Sequence, residues 1–106
     1  MNNYSKLKEL AKTRKRKLAN NTYLTVREDG GFGIKLHKTE VVIHYPDRVV
    51  LDSGGWLTVT TKARMNEFTD LSIYQDNYQW FVDGIVSNAS IPFTDGMTIQ
   101  LGGATN

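Results

Sequence analysis

The side chains best suited to metal or acid–base chemistry in this sequence are His37 and His44, with Glu40 and Asp47 close by. Two imidazoles and a carboxylate can hold a transition metal. The intervals between these four match no ligand motif, and neighbouring strands need not turn them to one side. No metal and no other cofactor is therefore expected. Ser53 stands before Gly54-Gly55 but lacks the pattern of a nucleophile elbow. Asp76, Asp83 and Asp95 each fall in turn sequences, where hydrogen bonding to the local backbone accounts for them. The pieces Gly30-Gly31-Phe32-Gly33 and Gly54-Gly55 match neither the phosphate loop nor the dinucleotide fingerprint. The chain has no cysteine, so thiolate nucleophiles, thiolate metal sites and disulfides are excluded together. These residues give no set of catalytic groups, and an enzyme is not expected.

Binding chemistry is better provided for. The segment Lys12–Lys17 (KTRKRK) holds five cations in six residues, and Lys6 and Lys8 precede it. Residues 1–17 carry seven cations against Glu9 alone, a charge of +6, while the remaining 89 residues carry −4. A cationic arm on a mildly acidic body suggests a polyanionic partner. Each phosphate neutralised by Lys8, Lys12, Arg14, Lys15, Arg16 or Lys17 would release counterions, giving salt-dependent affinity without sequence preference. The alternative is a solvated helix face that serves solubility. The arm has Tyr4 but no Trp or Phe anchor of an interfacial helix, and no membrane partner is expected.

A second concentration is Ser53–Asn66 (SGGWLTVTTKARMN), where Thr60, Lys62 and Arg64 crowd a helix start. Helix N-termini attract anions, so phosphate contact is chemically reasonable. Caps and turns explain the same residues without a ligand: Gly54-Gly55 as a turn, Trp56 as packing, Thr60 or Thr61 as a cap, Arg64 as a partner for a carboxylate. A third is the aromatic set Tyr74, Tyr78, Trp80 and Phe81. Left uncovered, Tyr74, Tyr78 and Trp80 would form a protein-contact surface or a stacking platform for single-stranded nucleic acid. Buried, they would be core, as most aromatics in a small β domain must be.

The elements that would position these groups follow from periodicity. Leu7, Leu10, Ala11 and Leu18 form one helical stripe and predict a helix over 4–18, ended by Asn20-Asn21. From residue 22 the period becomes two. Strands are predicted at 22–28, 32–37, 41–45, 49–52 and 56–61, then a short helix at 62–69. Further strands are expected at 71–75, 78–82, 90–93 and 97–101, with turns at Asp29-Gly30-Gly31, Asp76-Asn77, Asp83-Gly84 and Thr94-Asp95-Gly96. The tail from Gly102 to Asn106 reads as fraying. Strands do not alternate with helices, which argues against a parallel doubly wound sheet. The fold class expected is α+β: a small antiparallel β-sheet or partly open barrel with a basic N-terminal helix and one short internal helix. The domain division expected is a helical arm over 1–21 and a β-rich domain over 22–106, the latter folded without the arm.

At 106 residues the chain has the size of one domain. Its N-terminus lacks the apolar core of a signal peptide, and no apolar run nears the length of a membrane span. A cytoplasmic location is the expectation, as a monomer or, through an exposed sheet edge, a homodimer.

One further signal is a likeness. The residues Leu36-His37, Thr39, Val41-Val42, Val50-Leu51, Ser53-Gly54-Gly55-Trp56, Thr58-Val59-Thr60-Thr61-Lys62, Arg64 and Asn66 resemble a group of small bacteriophage and prophage proteins. Trp80 and the segment Ile91–Met97 (IPFTDGM) are similar to the same group, so the likeness spans much of 22–99. The basic arm lies outside it and reads as an addition in this chain. The resemblance implies a phage accessory protein. By association it implies a non-enzymatic inhibitor of host antiviral defence, of the anti-CRISPR kind, acting on a host protein or nucleoprotein complex. A small nucleic-acid-binding protein is the other reading.

Overall fold

Alternation of apolar and polar residues after Thr22 commits the chain to half-buried antiparallel strands. The structure, a computed structural model, describes residues 3–83 and 90–100. Helix α1 (Asn3–Ala11) leads into strands β1 (Lys17–Ala19), β2 (Thr22–Val26), β3 (Phe32–Leu36), β4 (Thr39–His44) and β5 (Arg48–Leu51). Helix α2 (Val59–Glu67) follows, then β6 (Ser72–Asp76), β7 (Gln79–Asp83), β8 (Ile91–Pro92) and β9 (Met97–Gln100). The described strands form two antiparallel sheets, ordered β1-β2-β3-β4-β5-β9 and β6-β7-β8, and close no barrel. An α+β class thus holds.

The register turns Thr22, Leu24, Ile34, Leu36, Val42 and Leu51 to one face of the larger sheet, all of them buried. Leu7 of α1, Met65 of α2 and Ile73, Trp80, Val82 and Phe93 from the second half join them in a single cluster. The other face carries Tyr23, Thr25, Lys35 and Ile43 and is partly open to solvent.

Four sequence expectations change. The N-terminal helix ends at Ala11 rather than Leu18. Thr13 stops it: its hydroxyl donates to the Leu10 carbonyl (2.7 Å) and accepts from Lys15 N–H (3.1 Å). A helix through Lys17 would also set like charges three and four residues apart, which is unfavourable. Lys17–Ala19 becomes an edge strand, with Leu18 packed on the core. The division at residue 21 therefore falls within the β1–β2 hairpin, and Leu7 is buried to 5% exposure.

Second, Trp56–Thr61 is no strand. Thr58 is the N-cap, its hydroxyl accepting from Thr61 N–H at 3.1 Å, and α2 runs from Val59. Tertiary packing overrides the β preference of the Val-Thr-Thr run, because the helical phase buries Thr61 and Met65 together, four residues apart.

Third, the turn between β6 and β7 is Asn77-Tyr78, with φ of 52° and 68°, one residue later than expected. Fourth, 90–101 is not a hairpin. β8 pairs with β7 and β9 with β5, so the chain crosses between sheets at Phe93–Gly96. Phe93 enters the core against Trp80 (ring centroids 5.4 Å), and Gly96 N–H donates to the Leu51 carbonyl at 2.8 Å. Of the expected Asp83-Gly84 turn, Asp83 ends β7 and Gly84 lies outside the described residues, as does the 102–106 tail.

Candidate functional site

A cleft of about 790 Å³ opens at one end of the larger sheet. The β1–β2 turn (Asn20, Asn21), the β3–β4 turn (His37, Lys38), Trp56 and the first two turns of α2 form its walls. The two hairpin turns are tied by His37 N–H donating to the Asn21 carbonyl at 2.9 Å. Asn21 (φ 53°) and His37 (φ 55°) both hold left-handed conformations, which few side chains adopt and which Asn and His tolerate best. Arg64 joins α2 to this corner. Its Nε donates to Thr22 Oγ1 at 2.8 Å, with longer contacts to the Asn20 carbonyl and to Glu67, both 3.4 Å.

The segment that carries Trp56 is fixed from below. Asp95 Oδ1 accepts from both Ser53 N–H (2.8 Å) and Ser53 Oγ (2.7 Å), and Ser53 is fully buried. Asp52 accepts from Gly54 N–H at 2.7 Å, and Ser53 Oγ from Gly55 N–H at 3.1 Å. Gly54 has φ of 62°, and a Cβ there would collide with the Thr39 hydroxyl, so glycine is required twice over. On this anchored loop Trp56 is nevertheless 68% exposed, Leu57 60% and Val59 79%. No Asp or Glu lines the cleft, whereas Lys38, Arg64 and His37 do.

The expected site residues separate. Thr60 and Arg64 line the cleft, four residues apart on one helix face. Lys62 points elsewhere, its Nζ 5.6 Å from the Trp80 ring centroid. Lys8, Lys12, Arg14, Lys15 and Lys17 are exposed on α1, the following turn and β1. Lys12 pairs with Glu9 at 3.3 Å, and Arg16 donates to the Thr13 carbonyl at 2.6 Å. Among the described residues, Lys8, Arg14, Lys15 and Lys17 form no ion pair.

The aromatic set also divides. Trp80 is 5% exposed and belongs to the core, because pairing Gln75 with Trp80 and Ile73 with Val82 turns it inward. Tyr74 stacks on Phe81 outside (5.6 Å), its hydroxyl donating to Ser90 Oγ at 2.7 Å. Tyr78 stands at the hairpin tip, 93% exposed.

His37 and His44 lie at opposite ends of the β3–β4 hairpin. Five residues of strand at about 3.3 Å each separate them by roughly 17 Å, too far to share a metal. Among the described residues no group of three His, Cys, Asp or Glu side chains converges to hold one. His44 is buried, and its Nε2 donates to the Phe68 carbonyl at the end of α2 (2.6 Å). Burial holds its pKa below the ordinary histidine value, against the opposing pull of that hydrogen bond and of Asp70.

Sequence reasoning missed a polar network on the open sheet face. Glu40 accepts from Thr25 Oγ1 (2.6 Å) and Arg27 (2.5 Å), over Gly33, where a side chain would strike both Thr25 and Glu40. The Tyr45 hydroxyl donates to Asp29 at 2.7 Å and, with Gly31 N–H, holds that carboxyl below the usual range. Arg48 lies 4.1 Å over the Tyr45 ring. Period-two spacing pairs Thr25 with Gly33, but Glu40 joins them only through a register shift between Ile34 and Lys35 that sets Lys35 opposite Glu40, which no local pattern announces.

The described residues contain no helix long and apolar enough to cross a membrane. Nothing among curated proteins or solved structures matches the chain. One family does match, and over residues 3–100, so it takes in α1 and the basic segment as well as both sheets. The arm is therefore part of the shared pattern and not an addition to it. With nearly its whole length covered, this chain belongs to the Kyanoviridae Gp96 protein family, a family of cyanophage proteins.

Proposed function

We propose that this phage protein is a non-enzymatic accessory factor that binds the nucleic acid of a host nucleoprotein complex and blocks its use. Inhibition of an antiviral defence complex is the biological role this action fits. The observation that carries the reading is the stretch Arg14–Lys17. It lies on an exposed turn and edge strand, with Arg14, Lys15 and Lys17 free of carboxylate partners among the described residues. Cations held without local neutralisation keep their full attraction for phosphate and lose little on binding it. The cleft beside them, lined by Lys38 and Arg64 and by no carboxylate, extends the same electrostatic preference.

The test is capture from host lysate by the immobilised full-length protein, with and without nuclease. The reading expects a host complex whose recovery falls when nucleic acid is digested. Undiminished recovery after digestion would transfer the contact to a protein face and refute the nucleic-acid route. Expression in a host with an active defence system separately tests the biological role, which fails for that system if immunity is unchanged.

A further inference from the structure

The cleft has features the basic segment alone does not explain. Its loop is anchored through Ser53 and Asp95 and shaped by a glycine that admits no side chain, yet it presents an indole to solvent. An exposed large aromatic on a pre-ordered loop loses little entropy when it stacks on a ligand. The same cleft is lined by Lys38, Arg64, Thr60 and His37, with no Asp or Glu in its wall. The left-handed residues Asn21 and His37 shape the same corner. An aromatic face next to a cationic, hydroxyl-lined hollow suits a ligand with a flat ring and a phosphate.

The route out of the cleft matters as much. Asn20 lines it, and β1 runs back from Asn20 through Lys17 towards Arg14. Six residues of extended chain span at most about 20 Å. The unpaired cations therefore continue from the cleft along β1 at Lys17 and onto the turn before it at Lys15 and Arg14. In a duplex the base faces are stacked inside, whereas an unpaired strand offers them for stacking on aromatic side chains.

We infer that the cleft is a base-binding site for single-stranded nucleic acid, in which an unstacked base lies on Trp56, its phosphate is held near Lys38 and Thr60, and the flanking backbone runs along β1 past Lys17 and over the preceding turn at Lys15 and Arg14. The inference rests on the nucleic-acid reading of the basic segment and adds strand type and a reading residue to it. An acidic peptide would satisfy the charges but has no flat ring to place on the indole.

The experiment compares a short labelled oligo-dT with a duplex of equal length, both titrated with full-length protein at low salt. Wild type, Trp56→Ala, Trp56→Phe, Lys38→Ala and a form with Arg14, Lys15, Arg16 and Lys17 changed to Gln are measured. Trp56 is exposed, so its variants should fold normally, as circular dichroism will report. The expected result is tighter binding of the single strand than of the duplex, with quenching of indole emission that Trp56→Ala abolishes. Trp56→Ala should weaken the single strand by about 5- to 160-fold, the usual range for one lost stacking partner. Duplex binding should be unchanged, and Trp56→Phe should recover part of the loss. The four-Gln form should weaken both ligands. Equal binding of both by wild type, unaffected by Trp56→Ala, overturns the cleft assignment and leaves the basic segment's role intact. Binding of neither ligand overturns both. If Trp56→Ala spares oligo-dT and abolishes capture of a host protein from nuclease-treated lysate, the cleft is a protein contact and the inference is wrong.

Discussion

Replacing Leu7 by alanine should cost far more than any change in a solvated arm could. Leu7 is 5% exposed and shares a cluster with Leu24, Ile34 and Met65, while Leu10, Ala11 and Leu18 pack against its rim. Leu→Ala at such a site typically costs about 2–5 kcal/mol, through lost transfer energy and the cavity left behind. A domain of this length has roughly 5–15 kcal/mol in all. A nine-residue helix is too short to persist in water on its own, so α1 is ordered by this docking and not by its propensity. Deleting residues 1–20 removes Leu7, Leu10, Ala11, Leu18 and strand β1 together, and exposes the edge of β2. The expected outcome is a drop of at least about 2 kcal/mol for Leu7→Ala by urea unfolding, and an unstable or aggregating product for the truncation. A truncated protein that unfolds at the same urea concentration as the full chain would refute the reasoning and restore a detachable arm.

Asp95→Ala should cost about 2–4 kcal/mol, since it strips two charge-assisted hydrogen bonds from buried Ser53, and Asp95→Asn about half of that. An effect under about 0.5 kcal/mol in urea unfolding would mean that Ser53 finds other partners. Tyr78→Gly should stabilise by about 0.5–1 kcal/mol, because a left-handed tyrosine is strained and the exposed ring gives up no burial. Lower thermal stability would show that the ring makes a contact worth more than the strain. Acid should destabilise through His44. Its folded pKa lies below the unfolded value of about 6.5, so the unfolded chain binds the extra proton. Stability should fall as pH drops below about 6.5, before most carboxylates titrate, and His44→Gln should flatten that slope. An unchanged slope in the variant would remove His44 from the account.

Much of the sheet was legible in residue types. Asp29-Gly30-Gly31 and the alternation on either side of it gave β2 and β3 to within two residues, because turn chemistry and period-two burial act locally. What was not legible depends on distant partners. The stripe from Leu7 to Leu18 is real, since all four residues reach the core, but Thr13 breaks the helix and the last member arrives on a strand. The Val59-Thr60-Thr61 run favours strand by itself and becomes helix because Thr61 and Met65 must be buried together. The pairing of β9 with β5 rather than β8 is fixed by Asp95 on Ser53, 42 residues away, which no local pattern announces. At the site, Thr60 and Arg64 were found by type, whereas Lys38, His37 and Asn20 enter only because two hairpin turns meet α2.

The measurement closest to the central claim is the salt dependence of single-strand binding by the full-length protein and by the form with Arg14, Lys15, Arg16 and Lys17 replaced by Gln. Four phosphate contacts, from Arg14, Lys15, Lys17 and Lys38, at about 0.7 each predict a slope of log affinity on log salt near −3 for the wild type. The Gln form keeps Lys38 and should bind weakly, with a slope of about −0.7. Identical slopes and affinities for the two proteins would contradict the claim that this segment is what holds nucleic acid.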